Sequence, residues 1–186
     1  MSDATKEKAI QGVYGTRHSC AACLLLALIG LVATTAQASD RKRIQGTADV
    51  RATHIWEVDG SLIRLNGVDA PVGNQKCFDA SDELYNCAVT MRKKAEERWD
   101  GNPVSCFVIG SNGRHDEPPA ATCYTGSQNI NAAMVASGLA IADRSETMRY
   151  VRYERHARAE KANLWSGRFM APRIWRGGSS QHNHPY

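Results

Sequence analysis

Residues 63–72 read Ile63-Arg64-Leu65-Asn66-Gly67-Val68-Asp69-Ala70-Pro71-Val72. Apolar side chains at 63, 65 and 68 carry one arginine and one aspartate toward a proline, which cannot donate to a central ladder and so marks where the strand gives out. An arginine and a carboxylate five residues apart at a strand end match the start of a phosphate-and-metal site, since a phosphate needs a cationic grip and a hard metal needs anionic oxygens. The run closes on Val72, which can neither ligate a metal nor accept a proton.

Upstream, Arg43 to Leu65 alternates apolar with polar residues, and Asp59-Gly60 stands between two apolar runs as a two-residue hairpin signal. The pattern predicts a β-meander whose register is fixed by that turn. Downstream, a polar loop holding Cys77 leads to residues 85–99, where Ala88, Met91, Ala95 and Trp99 share one helical face. Gly101-Asn102-Pro103 ends that helix and residues 104–110 read as a buried strand. Residues 111–124 begin as a loop and end as a strand, with Pro118-Pro119 kept out of any central ladder. A short helix with Ile130, Met134 and Val135 apolar ends at Gly138. From Ser145 the pattern predicts one long, charged amphipathic helix stopping near Gly167. The tail 177–186 is polar and predicts disorder, with His182 and His184 as solvated residues rather than ligands. Three strands, a helix, two strands and then helices is the order of a mainly β, α+β fold: a five-stranded OB-type Greek-key barrel with about three helices at its rim.

The front of the chain has a different character. Lys6, Lys8 and Arg17 precede the apolar block Ala21 to Thr35, which leads into Ala36-Gln37-Ala38 and then the polar Ser39-Asp40-Arg41. A basic lead, a short apolar core and a small-x-small exit predict a signal peptide over 1–38, cleaved near Ala38, and hence export to the periplasm or the medium. About fifteen apolar residues fall short of the roughly twenty that span a bilayer, so no stable membrane insertion is expected after cleavage. Without Lys6, Lys8, Arg17, Asp3 and Glu7, the net charge of +4 becomes +3, which permits contact with a polyanion without demanding it. Cys20 and Cys23 leave with the leader; Cys77, Cys87, Cys106 and Cys123 remain, a disulfide framework with three possible connectivities.

The runs IRLNGVDAP, NINAAMVASGLA and LWSGRFMAPRIWR, in that order, together resemble the staphylococcal-nuclease-like (thermonuclease-like) domain over about Gly46 to Arg176, and Gln75-Lys76-Cys77 resembles its exported, disulfide-containing subgroup. The resemblance implies that residues 39–176 form one such OB-fold domain. Active members are calcium-dependent phosphodiesterases, whose chemistry needs two carboxylates and a backbone carbonyl around calcium, a glutamate that activates water, and two arginines on the scissile phosphate. Arg64 matches the first arginine, and Asp69, with the Ala70 carbonyl, matches one metal carboxylate. Val72 replaces the water-activating glutamate, His54 stands where the second carboxylate belongs, and Pro118 falls on the second arginine. Arg114, four residues upstream, is a candidate replacement for that arginine. The resemblance thus implies a site from which the ordinary mechanism has been removed. Arg64 is retained but vestigial and expected to pair with Asp69; no cofactor is expected, and calcium only if the protein is active. His54 with Asp69 offers a softer metal two ligands, too few for a site. Glu57, Asp59 and Glu117 are further carboxylates that no spacing places in the pocket.

The cysteines then read as staples, Cys77 to Cys87 across a small loop and Cys106 to Cys123 between two strands. Kept staples and lost catalytic groups favour a monomeric, non-catalytic domain that binds a polysaccharide, a nucleic acid or a protein. Some exported members are associated with exopolysaccharide (succinoglycan) production, and length, leader and cysteines here are compatible with that subgroup. The alternative is a secreted, metal-dependent nuclease with a remodelled site. A third reading takes Arg149, Arg152, Arg155, Arg158 and Lys161 as a basic row for nucleic acid, against a solvated face balanced by Glu154 and Glu160.

Overall fold

The structure, a computed structural model, describes residues 42–110 and 117–177. The expected leader with its expected cleavage site, Arg114, and residues 178–186 of the tail lie outside the described residues. In chain order the elements are β1 (Arg43–Ala52), β2 (Ile55–Val58), β3 (Ser61–Leu65), β4 (Val68–Asp69), β5 (Lys76–Phe78), β6 (Leu84–Asn86), α1 (Cys87–Trp99), β7 (Pro103–Gly110), β8 (Ala120–Thr125), β9 (Gln128–Asn129), α2 (Ile130–Ala136), β10 (Ile141–Ala142), α3 (Val151–Ala159), a 3-10 turn (Asn163–Ser166) and α4 (Pro172–Arg176).

β1, β2 and β3 form the expected antiparallel meander, with Trp56 opposite Ile63. Asp59 and Gly60 both have positive φ, the conformation that a two-residue hairpin matching the strand twist demands. β7 pairs with β1 and β8 with β7, and a parallel contact of β3 with β8, Arg64 opposite Ala120 and Leu65 opposite Ala121, closes five strands into a barrel. Its core is apolar: Trp56, Ile63, Leu65 and Trp99 are fully buried, with the two indoles 5.9 Å apart. α1 supplies Trp99 from the apolar face read in the sequence, and Asn86 caps it by accepting the Val89 N–H at 3.1 Å.

One buried amide fixes the end of β3. Asn131 Nδ2 donates to the carbonyls of Asn66 (2.9 Å) and Ala121 (3.0 Å), while its Oδ1 accepts from Cys123 N–H. A fully buried amide meets three partners here, so α2 clamps the Arg64–Asp69 segment against β8.

The long helix is not continuous. Asp143 gathers the segment after β10 into turns: its side chain accepts from Ser145 N–H and Oγ–H, and its carbonyl from the N–H groups of Glu146 and Thr147. Only Val151–Ala159 is helical, and Lys161 and Asn163 at positive φ end it. The basic row is broken accordingly: Arg149 precedes the helix, while Arg152 and Arg158 lie over Tyr153 and Trp165. The β5–β6 hairpin and α4 are further elements that periodicity does not predict, being three and five residues long. No helix among the described residues is long and apolar enough to cross a membrane.

Both disulfides form, Cys77–Cys87 and Cys106–Cys123, the second between residues directly opposite in β7 and β8. Replacing Cys106 and Cys123 together by alanine is expected to lower stability by about 3 kcal/mol, the loop-closure estimate for a span near 15 residues. A urea titration checks this, and an unchanged midpoint would contradict it.

Candidate functional site

A cavity of about 790 Å³ opens where the β1–β2 turn, the end of β3 and the Asp143–Arg149 segment meet, and α4 brings Arg173 and Arg176 to its wall. Arg64 reaches it from β3 with its side chain only 8% exposed. Its Nη2 lies 2.5 Å from Glu146 Oε1, and its Nε lies 3.4 Å from Glu117 Oε2, at ion-pair distance without hydrogen-bond geometry. Glu146 Oε2 accepts the Gly67 N–H at 2.6 Å. Burial opposes ionisation of Glu146, but the Arg64 hydrogen bond, the Gly67 N–H and the Arg64 charge outweigh it and hold the carboxyl below its usual range. Gly67 has φ +72°, and a Cβ there would stand 2.4 Å from Thr147 Cγ2, so only glycine lets the Glu146 segment close on the strand end.

Asp69 does not pair with Arg64. Its side chain is 3% exposed; Oδ1 accepts from Arg176 Nη2 at 2.6 Å and Oδ2 from the Arg173 backbone N–H at 3.1 Å. Arg176 Nη1 also donates to the Ala70 carbonyl at 3.4 Å. Burial pushes the Asp69 carboxyl up, against the charge and hydrogen bond of Arg176 and the Arg173 N–H, which pull it down. Asp143, on the cavity wall, is held below its usual range: burial opposes this, but hydrogen bonds from Ser145 and the charges of Arg173 and Arg64 prevail.

His54 sits in the β1–β2 turn and lines the cavity, 8% exposed, with no hydrogen-bond partner for Nδ1. Burial first, then the charges of Arg176 and Arg64, push its pKa down to about 3, so the imidazole is neutral across the physiological range. Val72 also lines the cavity. The Pro118-Pro119 segment lies against β3, where the Pro119 carbonyl accepts the Arg64 N–H. Glu117 reaches the site, whereas Glu57 pairs with Arg51 and Asp59 forms the hairpin turn.

Calcium takes six to eight oxygens. Of the oxygens that it would take here, Asp69 Oδ1 and the Ala70 carbonyl already face the Arg176 guanidinium and Asp69 Oδ2 the Arg173 N–H, and among the described residues no group of three or more His, Cys, Asp or Glu is placed to hold a metal. The residues present do not fit that ion. Sequence reasoning found Arg64, Asp69 and His54 and missed Asp143, Glu146, Arg173 and Arg176, which stand about 80 to 110 residues away along the chain. The one local signal was the Arg-x-x-Arg spacing of Arg173 and Arg176 behind Pro172, which puts both on one helical face.

The model of a family described as Staphylococcal nuclease homologue matches residues 62–167, which include Arg64, Asp69, Val72 and Glu146 but end before Arg173 and Arg176. No curated protein matches the chain.

Because folded His54 binds a proton less well than the unfolded chain, the stability it contributes is whole above pH 6.5 and is lost as pH falls toward 3. Between pH 6.5 and 5, where carboxylates contribute least, this one group is expected to account for a loss of up to about 2 kcal/mol. Urea midpoints at the two pH values measure it; His54→Gln should flatten the slope, and an unchanged slope would contradict the burial of a neutral imidazole.

Proposed function

The chain belongs to the staphylococcal nuclease homologues, and we propose that its phosphodiesterase pocket has become a non-hydrolytic binding site in an exported accessory protein. The observation that carries this reading is the engagement of Asp69 and the Ala70 carbonyl by Arg176, beside a Val72 that cannot accept a proton. Loss of a general base alone costs roughly 10²- to 10⁴-fold in rate, and loss of the metal set adds to it non-additively. Arg64, locked between Glu117 and Glu146, has its charge answered inside the protein instead of waiting for a phosphate.

Two disulfides are compatible with an oxidising compartment and so support export. OB faces suit extended polymers, oligosaccharides and oligonucleotides alike, and a protein partner would use the same face. Within this range we place the protein with the exported members that it resembles, in an accessory role in exopolysaccharide (succinoglycan) production.

A remodelled nuclease is the second reading, and Glu146 is the observation that favours it: a carboxylate on the cavity wall beside Arg64. Both its oxygens already accept donors, one from Arg64 and one from Gly67, which makes it a weak base. Incubation of the processed, oxidised protein with DNA and RNA, in calcium, magnesium, manganese, zinc or chelator, decides between the two. The expected outcome is no cleavage above a buffer control. Metal-dependent cleavage that disappears in Arg64→Ala and in Glu146→Gln would establish the nuclease instead.

A further inference from the structure

We propose that the Arg176 guanidinium is a permanent, intramolecular substitute for a divalent cation in this pocket, so that the intact protein is indifferent to calcium, and that removing it uncovers a divalent-cation site on Asp69 and the Ala70 carbonyl. The inference rests on the non-hydrolytic reading for the identity of the pocket.

The first support is which oxygens are taken. Two nitrogens of one guanidinium reach two kinds of oxygen, Asp69 Oδ1 at 2.6 Å and the Ala70 carbonyl at 3.4 Å. A carboxylate and an adjacent carbonyl are the hard donors that a calcium ion selects. The second is burial: an Asp69 side chain 3% exposed needs a counter-charge, and a guanidinium keeps its charge at every accessible pH while shedding water more readily than an ammonium.

The third is anchorage. Fully buried Gln75 donates from Nε2 to the Met170 carbonyl at 2.8 Å, Pro172 occupies the first turn of α4, and the Arg173 N–H donates to Asp69 itself. Arg176 is thus delivered from a helix pinned on both sides of its start. The fourth is charge. Asp69, Glu117, Asp143 and Glu146 face Arg64, Arg173 and Arg176 in ion pairs, and Arg149 adds a fourth arginine on the wall. Removing Arg176 leaves four carboxylates against three arginines, with Asp69 Oδ1 and the Ala70 carbonyl uncovered while Oδ2 keeps the Arg173 N–H.

Thermal melting of the full processed protein with chelator, or with about 10 mM calcium, magnesium or an ionic-strength-matched sodium salt, tests the proposal. The wild type is expected to melt at one temperature in all four. Arg176→Ala, and Arg176→Gln as a second variant that preserves more of the side chain, should melt about 10 °C lower in chelator. Each should regain about 4 °C in calcium but not in sodium. Arg176→Lys should stay calcium-indifferent, and adding Asp69→Asn to Arg176→Ala should abolish the calcium response.

A wild type stabilised by calcium through Asp69, shown by loss of the effect in Asp69→Asn, would overturn the proposal. So would Arg176→Ala or Arg176→Gln protein that folds and ignores calcium. If neither variant folds, the wild-type comparison with Asp69→Asn decides alone. The two readings fail separately: a calcium-indifferent wild type that still cleaves nucleic acid sinks the non-hydrolytic reading, and a calcium-binding wild type that does not cleave sinks this one.

Discussion

Asp69 is almost wholly withdrawn from water, and its negative charge has to be answered within the protein. Arg176 and the backbone of Arg173 answer it, and that contact ties α4 to the strand end that leaves the barrel. The pair is not a simple gain in stability, because burial of the carboxylate still pushes its pKa up against the arginine. It does fix what the pocket can be. Burial first, and then the charges of Arg176 and Arg64, keep the His54 imidazole neutral, the Ala70 carbonyl faces a donor, and among the described residues no group of three or more His, Cys, Asp or Glu is placed to hold a metal.

The other half of the site follows the same logic through different residues. Arg64 is buried by the parallel β3–β8 contact that closes the barrel, so it too must find anionic partners, and it finds Glu146 and Glu117. Glu146 is available because Asp143 turns the chain before α3 and because Gly67 leaves room for Thr147 against the strand. The mouth of the barrel is thus filled with internal ion pairs. Such pairs offer an incoming anion less than free arginines would, and the Ser145 hydroxyl on the same wall is itself engaged by Asp143.

Local chemistry was legible in the sequence wherever the deciding partners were local. Asp59-Gly60 needs only its own backbone to specify a hairpin, and the spacing of Ala88, Met91, Ala95 and Trp99 needs only the helical period. The helix read from Ser145 failed because a charged, periodic run looks the same whether its carboxylates face water or a distant arginine; Glu146 faces Arg64, and that contact holds its segment in turns. Arg64 and Asp69 stood out as chemistry-bearing residues, yet their mutual pairing was the wrong expectation, since strand closure and α4 supply closer partners from far along the chain. A five-residue helix carries too little period to read, so Arg176 could be placed only by the fold.

The most direct measurement is a diffraction experiment on crystals of the oxidised protein grown with tens of millimolar calcium. The expected density shows the Arg176 guanidinium within hydrogen-bond distance of Asp69 and the Ala70 carbonyl, with no cation beside them. An ordered calcium ion on Asp69, with Arg176 swung away and a carboxylate such as Glu146 turned toward the water on that ion, would contradict the reading of this pocket as one that binds without cutting.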